Sequence, residues 1–96
     1  MKITGIVLDR NLKLSLTEIC ELCCVSQEEI SEMVEEGILD PQGPSTKNWY
    51  FHGYELRKAQ IALRLRRDLQ VNLPGIAVIV NLLDEIEELK RQAGLR

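Results

Sequence analysis

Three cysteines and one histidine are the residues of this chain best suited to chemistry: Cys20, Cys23 and Cys24 lie within five positions, and His52 stands far downstream. The spelling Cys20-x-x-Cys23 suits a zinc site or thiol–disulfide exchange. A structural zinc site takes four ligands, and the chain has neither a second cysteine pair nor a second histidine. A redox pair normally sits at a helix N-terminus, which stabilises its thiolate. This pair falls late in a short expected helix at i and i+3, where small apolar side chains pack. Core packing is expected for Cys20 and Cys23, with Cys24 in a turn, and no metal or cofactor is expected. His52 follows an aromatic run and precedes Gly53, so it suits a cap or a strand edge. One histidine completes no nucleophile–base arrangement, and no glycine-rich phosphate loop is present. The residues predict a binding protein rather than an enzyme.

A second chemistry lies in the carboxylates. Between Thr17 and Asp40 every charged side chain is acidic: Glu18, Glu21, Glu28, Glu29, Glu32, Glu35, Glu36 and Asp40. The stretch reads as a helix-turn-helix whose second helix, Ser26 to Glu36, holds five glutamates. In DNA-binding proteins of this kind the second helix enters the major groove, among phosphates that favour Lys and Arg. A basic protein partner is therefore expected, contacted by Glu28, Glu32, Glu35 and Glu36, and nucleic acid is not. The plainer reading is a solvated face that aids solubility. Arg57 to Arg67 carries five bases and no acid. That cluster could bind nucleic acid, or pair with carboxylates such as Asp84, Glu85, Glu87 and Glu88 further on.

Ninety-six residues with a 45% hydrophobic share suit one folded domain, 1–96, and argue against disorder. The net charge of −3 conceals the segregation just described. An odd cysteine count in one cluster suits a reducing compartment. Ile6 to Leu8 is too short for a secretory core and is followed at once by Asp9 and Arg10. The longest apolar run, Ile76 to Val80, cannot span a bilayer. A soluble cytoplasmic protein without membrane contact is expected.

The elements that would position these residues follow from periodicity. Leu12, Leu14 and Leu16 alternate with polar neighbours, as in a short strand with Asn11 near a turn. Thr17 suits the N-cap of a first helix, and Ser26 with Glu29 spells the capping box of a second. Ile30, Met33 and Val34 supply the apolar stripe of that helix, and Gly37 its end. The helix-turn-helix thus covers 17–37. Ile38-Leu39, a Pro/Gly breaker and Asn48 to Phe51 read as a β-hairpin wing over 38–51. A third helix spans 53–70, with Leu56, Ala59 and Leu63 on one line and Ile61, Leu65 and Leu69 on another. Pro74 opens a fourth over 74–93. Its Ile79, Leu82, Ile86 and Leu89 recur at alternating spacings of three and four. That seam could pack on the third helix, form a homodimer with parallel or antiparallel helices, or do both. The fold class expected is mainly α, a winged helix-turn-helix with two further C-terminal helices.

This order resembles the MerR-like winged fold. Residues 16–41, LTEICELCCVSQEEISEMVEEGILDP, are similar to that family's opening, with a Val-Ser turn before the second helix. The Arg and Tyr residues with which its regulators contact DNA have no counterpart at Glu29 to Met33. Closer still is the chaperone-modulator family CbpM. Ser26-x-Glu-Glu-Ile30, Trp49-x-Phe51 and the block RLRRDLQVNLPGIAVIVNLLDEIEELK from Arg64 to Lys90 carry the resemblance. It implies binding to the J-domain of a DnaJ-like co-chaperone (CbpA) and inhibition of its stimulation of DnaK. The alternative is a MerR-type DNA-binding transcriptional regulator.

Overall fold

A computed structural model describes residues 12–94. In chain order it contains β1 (Lys13–Ser15), α1 (Leu16–Cys23), α2 (Gln27–Glu35), a 3₁₀ turn (Thr46–Asn48), β2 (Tyr50–His52), α3 (Gly53–Leu69) and α4 (Leu73–Gln92). The mainly helical winged architecture expected from the sequence is the one found. The turn expected at Asn11 lies outside the described residues.

Local chemistry sets each boundary. The first helix begins two residues earlier than expected, because Ser15 rather than Thr17 caps it. Ser15 Oγ accepts from the Glu18 N–H at 3.1 Å, and Glu18 Oε1 accepts from the Ser15 N–H at 2.8 Å. Thr17 has Cys20 three residues on and so lacks the carboxylate that closes such a box. Leu16, expected at the strand end, becomes the first helical residue. At the second helix Ser26 Oγ accepts from the Glu29 N–H at 3.2 Å, so the expected cap forms, though only as this half of the box and without the return bond from the Glu29 side chain. Gly37 ends α2 at φ +79°. Its N–H donates to the Val34 carbonyl at 3.0 Å and the Ile38 N–H to the Met33 carbonyl at 2.9 Å. This is a Schellman motif, and the Ile38–Met33 pair that accompanies it is fully buried.

The wing differs from the expected hairpin. Ile38 and Leu39 are buried anchors rather than a strand. Only Gln42 pairs with Tyr50, through two backbone bonds of 2.9 Å. The ladder cannot extend toward Asp40, since Pro41 has no N–H and the Asp40 N–H is taken by Glu55. β2 instead pairs antiparallel with β1, in the register Leu14 opposite Phe51. Gly43, at φ +113°, lets the turn close: a Cβ there would stand 2.3 Å from the Asn48 carbonyl oxygen.

The core gathers Ile19, Ile30, Met33, Ile38, Phe51, Leu56 and Ile76, all fully buried. Truncating a residue such as Phe51 in this setting costs about 3–5 kcal/mol. On α3 the fully buried line is Leu56, Ala59 and Ala62, the two alanines being small enough to allow close helix approach. Leu63, Ile61 and Leu65 are half-buried, while Leu69 is exposed, so the broad apolar arc closes only on its central part. Asn72 caps α4, its Oδ1 accepting from the Gly75 N–H at 2.9 Å, with Pro74 in the first turn. α4 then packs on the body through Ile76 and Val80.

Candidate partner-binding surface

α2 turns Ile30 and Met33 inward and leaves Glu28, Glu32, Glu35 and Glu36 exposed. Their spacing of i, i+4, i+7 and i+8 sets the four carboxylates along one outward face. Glu28 and Glu29 sit in the first turn, where they favour the helix dipole. Glu35 and the C-cap Glu36 sit at the opposite end, where a carboxylate costs about 0.3–1 kcal/mol. The last turn contains no base to offset them. The sequence thus retains two side chains that oppose the helix they belong to.

Among the described residues, one cation enters this face from outside the segment. Arg66 of α3 places Nη1 3.9 Å from both Glu29 Oε2 and Glu32 Oε1. The acidity of the stretch is therefore partly countered in three dimensions, which its sequence alone did not suggest. Among the described residues Glu28, Glu35 and Glu36 have no ion pair, so most of the outward charge stands unneutralised.

The basic cluster finds partners other than those expected on α4. Lys58 Nζ lies 3.3 Å from Glu55 Oε2, and Arg67 Nε 3.4 Å from Asp68 Oδ1. Two carboxylates of α4 are otherwise engaged: Asp84 accepts from the Tyr54 hydroxyl, and Glu88 pairs with Arg91 of its own helix. The side of α3 that meets α4 bears Tyr54, Lys58 and Ile61, whereas Arg66 points to α2. Glu55 is the residue that sequence reasoning missed. Buried at the start of α3, it accepts from the Asp40 N–H at 2.9 Å and so ties the exit of α2 to α3. Its distance of 15 positions from Asp40 leaves no local signal. Tyr54 is pushed up to about 12, first by burial and then by the hydrogen bond to Asp84.

Cys20 packs in the core, as expected. Cys23 is half-buried, its thiol pushed up to about 11 by burial and then by Cys20 and Cys24. That is the reverse of an activated thiol. Cys24 occupies the turn, left-handed at φ 60°. His52 ends β2 and stands at the N-cap of α3, with its ring edge-on to Tyr50 at 5.7 Å.

Of the four seam positions, Ile79 is half-buried, while Leu82, Ile86 and Leu89 are 52%, 47% and 62% exposed. Intramolecular packing therefore does not consume the seam.

A helix-turn-helix, a one-bridge wing and two further helices define the MerR type of fold, and the sequence model described as "MerR HTH family regulatory protein" matches residues 14–94. Among curated proteins, the chaperone modulatory protein CbpM of Coxiella burnetii (strain Dugway 5J108-111) is 39% identical over 90 residues, covering 94% of this chain and 85% of its own. The proteins of the same name from Citrobacter koseri and Escherichia coli O139:H28 are 37% and 36% identical over 81 residues, covering 84% of this chain and 80% of theirs. The chain belongs to the MerR HTH family, and within it to the CbpM group.

Proposed function

We propose that this protein is a chaperone modulator that binds the J-domain of a DnaJ-like co-chaperone of the CbpA type and inhibits its stimulation of DnaK. The name carried by its relatives supports the modulator role. The observation that carries the rest is the exposed line Glu28, Glu32, Glu35 and Glu36, opposed among the described residues by the guanidinium of Arg66 alone. A J-domain offers DnaK a basic helix, so an acidic surface of this kind competes for the same patch. Complementary charge speeds encounter and sets specificity, while a few buried apolar anchors supply the affinity. The setting is the cytoplasm, where the three thiols stay reduced.

DNA binding is the weaker reading. The helix that would enter the groove presents carboxylates to phosphates, and Lys58 and Arg66 are already paired with glutamates. Titration of the protein with the J-domain of its cognate co-chaperone tests the proposal. Saturable binding at micromolar concentration, with loss of DnaK stimulation, supports it; no binding there ends it.

A further inference from the structure

The cysteines and the bases of α3, two clusters that stand far apart in the sequence, meet in the folded chain. Cys23 and Cys24, at the end of α1, line a hollow of about 140 Å³ together with Arg64 and Arg67 of α3. The bases of α3 therefore divide: Lys58 turns to Glu55, Arg66 to α2, and Arg64 and Arg67 to the thiols. Among the described residues Arg64 has no ion pair, and Arg67 has only its neighbour Asp68, at 3.4 Å. We propose that Cys24 is a thiol-modification site that takes an anionic low-molecular-weight thiol of the glutathione type as a mixed disulfide.

The three thiols differ in access. Cys20 is buried in the core, and burial, followed by Glu21, pushes its thiol up. Cys23 is half-buried and pushed up to about 11, so it stays protonated near neutral pH. Cys24 is exposed, in the left-handed turn that leads from α1 to α2. Its thiol donates to the Glu21 carbonyl at 3.8 Å, and the residue lines surface hollows rather than the core.

The surroundings select the reagent. A guanidinium recognises a carboxylate through paired hydrogen bonds, and two guanidiniums beside one accessible thiol favour an anionic disulfide. The hollow is smaller than the roughly 300–1,000 Å³ that encloses a whole ligand. It seats one carboxylate-bearing arm, and the covalent bond to Cys24 supplies the remaining hold. Cys24 also lines a more open hollow with Glu21 and Glu29. Glu29 is shared with Arg66, which leaves Glu21 for the ammonium group of the tripeptide. Charges of both signs thus flank the sulfur, as a zwitterion with surplus carboxylate requires.

In the exchange, Cys24 gives its proton to solvent and its sulfur attacks one sulfur of glutathione disulfide. The new S–S bond forms as the old one breaks. A glutathione thiolate leaves with the electron pair and takes a proton from solvent. Cys24 is oxidised, and the departing half of the disulfide is reduced. Excess free thiol reverses the step, so the adduct is transient in a reducing compartment.

Intact-mass spectrometry of the reduced chain with glutathione disulfide, followed by peptide mapping, tests this. One glutathione adduct is expected, on Cys24, and Cys24→Ser removes it. Charge selection is read by comparing glutathione disulfide with cystamine, a cationic disulfide, each rate taken relative to its reaction with neutral N-acetylcysteinamide. The folded chain should favour the anionic disulfide about tenfold, and Arg64→Gln with Arg67→Gln should abolish that preference. Both arginines are exposed, so the thermal melt of the double variant should not move. No adduct, or an adduct chiefly on Cys20 or Cys23, overturns the proposal. So does an absent or reversed preference, or one that survives the loss of both arginines.

Discussion

Arg66 Nη1 stands 3.9 Å from Glu32 Oε1, joining the last turns of α3 to the acidic face of α2. Glu29 Oε2 is equally distant, so one guanidinium is shared between two carboxylates. All three side chains are well exposed, and such pairs contribute only about 0–1 kcal/mol. Their larger effect is on the surface: Arg66 screens the charge that a basic partner would seek. Arg66→Gln is expected to tighten J-domain binding up to about fivefold, by removing this competing cation. Calorimetric titration checks it, and unchanged affinity would show that Arg66 does not shield the binding face.

Glu35 and Glu36 sit where the helix dipole disfavours them. Reversing both, Glu35→Lys with Glu36→Lys, should weaken J-domain binding by at least about tenfold. The same change should leave thermal stability intact or raise it, each lysine favouring the C-terminal end by about 0.3–1 kcal/mol. Parallel binding and melting measurements separate the two effects. Loss of stability along with binding would mean that these carboxylates hold the fold.

Glu55 makes the complementary case, a carboxylate that serves structure. Glu55→Ala removes the acceptor of the Asp40 N–H and the partner of Lys58 in a buried setting. A destabilisation of about 2–3 kcal/mol is expected in urea denaturation. Since α2 keeps its exposed glutamates, affinity per folded molecule should stay the same.

Alkaline stability should report Tyr54 and Cys23. Both acids have folded values raised above their ordinary ones, from 10.0 to about 12 for Tyr54 and from 9.0 to about 11 for Cys23. The folded state therefore holds these protons more tightly than the unfolded chain. The stabilisation is fully present below about pH 9 and is lost as pH rises through 11 and then 12. Melting temperature should decline over that window, and Cys23→Ala with Tyr54→Phe should flatten the decline. Both groups are partly solvated, so the slope is shallow.

Much of this fold was legible because its signals are local. Ser26 with Glu29, Gly37 after a stripe of Ile30 and Met33, and Pro74 after a cap each act within four residues. Apart from the start of α1, the misread parts depend on contacts distant in sequence. Ser15 out-competed Thr17 because only it finds a carboxylate at the right offset. The wing lost its first arm because Glu55, far along the chain, claims the Asp40 N–H. At the surface, the line of exposed glutamates followed from helical spacing, whereas Arg66 entered from another helix and no periodicity announces it. The α4 seam was visible as a repeat, but only the folded arrangement showed that Ile76 and Val80, and not the seam, hold the helix to the body.

The central claim is that the acidic face of α2 meets the J-domain. The most direct measurement is an amide chemical-shift titration of the isotopically labelled chain with unlabelled J-domain. The account predicts the largest perturbations between residues 27 and 36, diminishing as salt is added. Perturbations confined to α3 and α4, with α2 unmoved at saturation, would contradict it.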